Sequence, residues 1–295
     1  MSTGTPTAAV QGQDEITSGQ EANSDGISAI VLALDEARHI VPCLRTLQWT
    51  DEQIVVVDSR STDNIDLELS RKTTAELATQ MGARVVERAF DNWASQRNFA
   101  IAAARYRWVL FVDVDERVPP ELASEIRGVL NRSKRDLDAP AEPVGYWVPR
   151  QNMILGRWMR HAGWSPDYQL RLFRTNRGCY DPSRPVHELV QLDGRDAQLR
   201  HRLVHHNYVT WRQFWIKQRR YAQMEAQRQY AEGRRAKPHN FLLQPLREFK
   251  RRYLGLAGYR AGLLGLQLSL VLAAADFLMY RELWRLGRSG APPRD

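Results

Sequence analysis

Two groups of acidic residues stand where long apolar runs of the chain give out. The first is VVVDSRSTDN (55–64), in which Asp58 follows three valines and leads into Ser59, Ser61, Thr62 and Asp63. A carboxylate at a strand end can accept hydrogen bonds from a nucleobase N–H or a ribose hydroxyl. The same segment also suits a plain strand end followed by a helix cap, a role that fits Asp63. The second group is Asp113-Val114-Asp115-Glu116, directly after WVLFV. On extended chain, residues i and i+2 share a face, so Asp113 and Asp115 are expected to address one ligand. Paired hard oxygens suit Mg²⁺ or Mn²⁺ bridging a diphosphate. Three carboxylates within four residues repel one another, and a cation relieves that repulsion. A solvated acidic turn ahead of the next helix is the competing reading.

The elements that must position these groups follow from the apolar pattern. ISAIVLAL (27–34), QIVVVD (53–58), ARVVER (83–88) and RWVLFVDVD (107–115) read as strands, the first two buried on both faces. Helices are expected between them over 36–47, 74–82 and 93–104, and Pro119-Pro120 opens another that runs to about Leu130. Alternating strands and helices make a parallel sheet wrapped by helices, and such sheets bind ligands at the carboxyl ends of their strands. After residue 132 the alternation stops. A charged loop over 132–143 leads to YWVPR (146–150), QLRLFR (169–174) and a strand pair near 186–206. A helix over 208–232 carries Trp211, Phe214, Trp215, Gln218 and Ala222 on one side, with Lys217, Arg219, Arg220 and Arg228 around the rest. A more apolar helical stretch covers 253–286.

With 295 residues, 43% apolar and 26% charged, the chain is too apolar to be wholly disordered and long enough for one large domain with an appendage. Two cysteines, Cys43 and Cys179, exclude a disulfide framework and a four-cysteine zinc site. Residues 1–26 lack both a basic start and an apolar core, so they read as a disordered tail and not as a signal peptide. The formal charge of +8 is unevenly spread: residues 195–260 carry a net +12 and the rest −4. That asymmetry points to a polyanionic surface as partner, either anionic lipid or nucleic acid. AGLLGLQLSLVLAAADFLM (261–279) is nearly long enough to cross a bilayer, but Gln267, Ser269 and Asp276 interrupt it. A helix lying on the cytoplasmic membrane face fits better, with the arginine-rich segment attracting anionic lipid.

The segments ISAIVLALDEARHI, VVVDSRSTDN, DNWASQRNFA, WVLFVDVDER, GWSPDYQLRLFR and PVHE, in that order and spacing, resemble the family 2 glycosyltransferases, in particular the branch acting on lipopolysaccharide core and other cell-envelope glycans. The likeness spans about Ile27 to Trp284. It implies an α/β fold of the GT-A, nucleotide-diphospho-sugar transferase type, over 27–207, followed by a membrane-associating helical region over 208–287 and a disordered tail over 288–295. It implies an inverting, metal-dependent transfer from a nucleotide sugar, expected to be a UDP-sugar, to a glycan or lipid-linked acceptor. In that scheme Asp58 binds the nucleotide base with Glu36 nearby, Arg97 contacts the nucleotide or its phosphates, Asp113 lies near ribose and metal, and Asp115 ligates Mn²⁺ or Mg²⁺. Asp167 matches the place of the acceptor-activating base, with His187 and Glu188 as alternatives for that role, and Trp164 either stacks on a sugar ring or packs in the core. The expected partners are the nucleotide-sugar donor, the acceptor and an anionic membrane surface on the inner face of the cytoplasmic membrane; no nucleic acid is expected.

Three positions depart from the family pattern. Asp35 stands where Asn is usual, and Arg60 stands where Gly is usual. Residues 65–73 look like an insertion beside the base-binding loop. Two readings of other kinds compete: a basic protein that grips nucleic acid through the 208–232 helix, and a fold that has lost its chemistry. A nucleotidyltransferase of similar fold is the alternative among enzymes.

Overall fold

The computed structural model describes residues 24–61, 72–133, 142–182 and 190–289. The β-branched runs form the strands expected of them. Strands β1 (Ser24–Ala33), β2 (Glu52–Asp58), β3 (Arg84–Arg88) and β4 (Tyr106–Phe111) lie parallel in the order β3-β2-β1-β4. Side chains of a strand alternate between faces, and here both faces are dry. Ala29, Val31, Val55 and Val57 join one core cluster, while Ile30, Ile54 and Val56 join the other.

Helices cover the two faces. α1 (Ala37–Arg45), α2 (Thr74–Gln80) and α4 (Pro120–Ser133) place Ile40, Leu44, Ala78, Leu122 and Ile126 in the first cluster. α3 (Trp93–Ala103) places Ala94 and Ala100 in the second. The starts are written locally. Thr73 and Glu76 form a reciprocal capping box on α2, and the Asn92 side chain accepts from Ser95 N on α3.

Beyond α4 the sheet turns mixed. β8 (Tyr168–Arg174) pairs antiparallel with β4, β6 (Gly145–Ile154) antiparallel with β8, and β12 (Leu203–Tyr208) parallel with β6. The short β5 (Glu116–Arg117) closes that edge against β12, while β7 (Arg157–Trp158) and β11 (Asp196–Gln198) pair with β6. β9 (Gly178–Tyr180) and β10 (Val190–Leu192) make a separate ribbon.

Three helices complete the chain: α5 (Trp211–Ala231), α6 (Asn240–Lys250) and α7 (Gly262–Ser289). Phe214 of α5 and Leu264, Leu268 and Leu272 of α7 pack on Ile154 and Tyr208, the ends of β6 and β12. The helical region is thus seated on the end of the sheet. The helical stretch expected over 253–286 is broken. A π-helical turn (Arg251–Gly255) and a 3₁₀ turn (Gly258–Ala261) precede α7, with Ala257 and Gly262 at φ of 52° and 64°. The break lets Gly258 lie against Gly265: a Cβ added at Gly265 would stand 1.9 Å from the Gly258 carbonyl oxygen. α7 continues to Ser289, past the expected tail boundary, and β1 begins three residues before Ile27.

Candidate active site

Three neighbouring parallel strands deliver carboxylates to one rim. β1 ends just before Glu36, β2 ends on Asp58, and β4 ends two residues before Asp113. A cavity of about 450 Å³ opens there, walled by Glu36, Asp58, Arg60, Phe90, Trp93 and, from α5, Arg220.

Asp58 is buried and already engaged. Its Oδ1 accepts from Arg60 N at 3.0 Å and Phe90 N at 3.3 Å, and Arg60 Nη2 lies 2.6 Å from Oδ2. The Arg60 side-chain bond is the main reason its carboxyl sits low, at about 2. Arg60 also lies over the Phe90 ring. The residue at the glycine-type position therefore folds back over the strand-end aspartate.

Asp113 and Asp115 lie on a turn and not on extended chain. β4 stops at Phe111, and Glu116 N donates to Asp113 O at 2.8 Å, which closes a tight turn. The turn gives the two aspartates different partners, while Asp115 still feels the Asp113 charge. Asp113 accepts from both terminal nitrogens of Arg171 on β8, one at 3.1 Å. Glu116 is fully buried; its Oε2 accepts from Asp113 N at 2.8 Å and its Oε1 from Arg171 Nη2 at 3.1 Å. Guanidiniums thus offset the crowding of Asp113 and Glu116. Burial raises Asp113, but the Arg171 charge and hydrogen bonds, with the charges of Arg97 and Arg150, together outweigh it and hold the carboxyl low. Arg97 lies over the Trp93 and Tyr180 rings and adds to the positive field on Asp113.

Asp115 faces His205 of β12, with Nε2 3.5 Å from Oδ2. His205 Nδ1 is 2.7 Å from Asn152 Oδ1. The Asn152 amide nitrogen is committed elsewhere, donating to Asp167 Oδ2 at 2.8 Å and Trp164 O at 3.0 Å. Its oxygen must therefore accept, so His205 Nδ1 carries the proton. Nε2 then turns either a lone pair or a second proton toward Asp115. The second proton would make a hydrogen bond that helps hold the Asp115 carboxyl low. The lone pair would make, with Asp115, a nitrogen–oxygen donor pair able to hold a divalent ion. No group of three His, Cys, Asp or Glu side chains converges among the described residues. Two protein ligands are what an ion shared with a diphosphate needs. Glu36 stands close by. Burial first, and then the Asp115 charge, push its carboxyl up to about 7, against the pull of Lys217 on α5.

Asp167 is tied into the same network. Its Oδ2 accepts from Arg150 Nε and Asn152 at 2.8 Å each, and its Oδ1 from Gln169 at 2.9 Å. Burial opposes the charge, but Arg150 and the two amide donors hold the carboxyl below the usual range. Trp164 packs edge-on to Tyr208 at 5.9 Å beside Phe214, so its ring serves the joint with α5. His187 and Glu188 lie outside the described residues, as does most of the 65–73 segment.

Asn152, His205, Arg150 and Arg171 are the site residues that the pattern of the sequence left unmarked. Of these, only His205 carried a signal, as one of two adjacent histidines in LVHHNY.

A parallel half-sheet extended by antiparallel strands, with strand-end carboxylates around a cavity, is the α/β arrangement expected of a GT-A fold. The chain belongs to glycosyl transferase family 2, whose sequence profile matches residues 28–187, more than half of its length. It is a glycosyltransferase. It is 26% identical over 269 residues to the lipopolysaccharide core biosynthesis glycosyltransferase LpsC of Rhizobium meliloti, covering 88% of this chain and 92% of that protein. An uncharacterised glycosyltransferase of Rickettsia felis is 29% identical over 110 residues, 37% of this chain and 36% of that one. Among solved structures, S. aureus TarS 1-349 in complex with UDP aligns over 91% of this chain and 93% of that one, with TM-score 0.44 and 16% identity.

Proposed function

We propose that the protein is an inverting transferase that moves a sugar from a nucleotide-diphospho-sugar, with UDP the expected nucleotide, to a cell-envelope glycan or lipid-linked acceptor. The observation that carries this reading is the rim itself: Glu36, Asp58, Asp113 and Asp115 at the ends of adjacent parallel strands, with the cavity beside them. The likeness to a lipopolysaccharide core enzyme along almost its full length supports the acceptor class.

In this reading the nucleotide lies in the cavity and Asp58 takes the base once Arg60 swings aside, which its 60% exposed side chain permits. Asp115 and His205 would hold a divalent ion, which when bound supplies positive charge to the departing diphosphate. The acceptor hydroxyl oxygen forms its bond to the sugar C1 as the C1–O bond to the diphosphate breaks on the opposite face. The hydroxyl proton passes to Asp167, which its donors keep ionised and ready to receive it. The region after residue 208 docks on the inner face of the cytoplasmic membrane. α6 buries none of its residues, and Leu242 and Leu246 are 72% and 59% exposed beside Arg247 and Lys250.

The test is thermal stabilisation by UDP, GDP, CMP and dTDP, with and without Mn²⁺. One diphosphate is expected to raise the melting temperature in a metal-dependent way, and Asp115→Ala to abolish the metal dependence. Asp167→Asn is expected to keep the nucleotide response and stop transfer. A folded wild-type chain indifferent to every nucleotide would overturn the reading.

A further inference from the structure

A second cavity, of about 180 Å³, lies away from the nucleotide rim, between β7 and the start of α7. Arg157, Arg160, His161 and Arg260 wall it, with Trp158 and Leu264. No carboxylate lines it, and none of its three arginines forms an ion pair among the described residues. That contrasts with Arg150, Arg171, Arg228, Arg251 and Arg252, each held by an acidic partner. The three guanidiniums are exposed to solvent and free to take an anion at the cavity mouth. The Trp158 ring is gripped by cations: the Arg160 guanidinium lies 3.7 Å from its centroid and that of Arg202 5.3 Å. Trp158 Nε1 is buried without an acceptor, a donor left over at the same place.

Exposed apolar side chains adjoin, along the chain, the lining residues Arg260, Ala261 and Leu264. Leu263 at the start of α7 is 70% exposed, and Leu254, Leu256 and Tyr259 are exposed on the turns before it. The 155–167 loop is stitched to those turns: Ala162 N donates to Leu256 O at 2.8 Å, and Arg252 Nη1 donates to Ala162 O at 2.8 Å. The same loop runs on to Asp167.

We propose that this cavity is a second ligand site that takes the phosphate of a membrane-borne amphiphile, whose apolar part lies along these exposed leucines. Planar guanidiniums pair bidentately with phosphate oxygens. The leucines decide between a free phosphate and a lipid-borne one: a soluble anion makes no use of exposed leucines adjoining its site. The assignment rests on the membrane-docked reading of α6 and α7, and it adds a place and a chemistry for one lipid headgroup.

The experiment is flotation of the full chain with three vesicle types: phosphatidylcholine alone, with phosphatidylglycerol, and with phosphatidic acid, the charged vesicles matched in surface charge. The wild type is expected to prefer phosphatidic acid, whose phosphomonoester offers three oxygens. The triple variant Arg157→Gln, Arg160→Gln, Arg260→Gln is expected to lose that preference and bind about tenfold more weakly than a control triple, Arg281→Gln, Arg285→Gln, Arg288→Gln, which removes equal charge elsewhere, on α7. Equal losses in the two triples would reduce the effect to general charge and overturn the site. Millimolar inorganic phosphate that displaced the wild type from every charged vesicle type alike would overturn the lipid-borne source. No binding to any vesicle would overturn the docked reading itself, while binding without headgroup preference would overturn only this site. The nucleotide-induced thermal shift, unchanged in both triples, reports that they are folded.

Discussion

Glu36 and Arg60 are the two residues whose state is most open to change when a ligand arrives. Glu36 carries a carboxyl raised from 4.5 to about 7, first by burial and then by Asp115. Between those values the folded chain keeps a proton that the unfolded chain has lost, so stability falls as pH rises from about 4.5 to about 7 and levels off above. Glu36→Gln removes this contribution. The stability of the wild type relative to the variant is expected to drop by about 1–2 kcal/mol across that window, the full shift being discounted for partial solvent exposure. Urea melts of both proteins from pH 4.5 to 8 check it, and a constant difference would refute it. Arg60 competes with the nucleotide for Asp58. Arg60→Gly is expected to tighten binding of the stabilising nucleotide about fivefold, the worth of an ion pair with one exposed partner. Titration calorimetry reads this directly, and weaker binding would mean that Arg60 holds the nucleotide and does not shield Asp58.

At the scale of elements, the half of the molecule built from β1 to α4 was legible because it is local. Apolar runs mark the strands, Gly82 and the Pro119-Pro120 pair mark helix limits, and each strand's carboxyl end follows at once. Asp58 and Asp113 were found that way. The aim of the Asp113–Glu116 turn was not legible, because it depends on Arg171, 58 residues away in the chain, and on where β4 stops. Asn152 and His205 were missed for the same reason. A neutral amide joins Asp167 to His205 only once β6 and β12 lie side by side. The break before α7 was hidden in glycines. Gly262 serves its positive φ and Gly258 packs on Gly265. Gly265→Ala would drive a methyl group into the Gly258 carbonyl. The expected loss is about 2–3 kcal/mol, from forced backbone movement in a packed joint. Leu268→Val, in the same helix but free of that approach, is expected to cost about 1 kcal/mol. Equal effects in chemical denaturation would mean that the Gly258 approach is not a constraint.

The whole molecule separates its two kinds of surface. The sheet domain neutralises its own charges internally, through chains such as Asp113–Arg171–Glu116–Arg150–Asp167. The helical end leaves both charge and apolar surface outward. α7 is long and apolar enough to cross a bilayer, yet 39% of its most apolar window is buried inside the protein. Its Asp276, pushed up to about 6 by burial, is close enough to Arg251 and Glu248 to feel both charges. One side of α7 is packed on α5 and α6, which fits the docked reading proposed above. Docking should then depend on the exposed leucines as much as on the arginines. Leu242→Ser, Leu246→Ser and Leu263→Ser together remove apolar side chains that are 72%, 59% and 70% exposed. Each leucine entering the interface is worth about 1 kcal/mol, so the triple variant is expected to bind anionic vesicles about a hundredfold more weakly. Because the arginines remain, salt should weaken its residual binding by the same factor as that of the wild type. A triple variant that binds as the wild type does at low salt would show that charge alone brings the protein to the membrane and that the leucines face another protein surface.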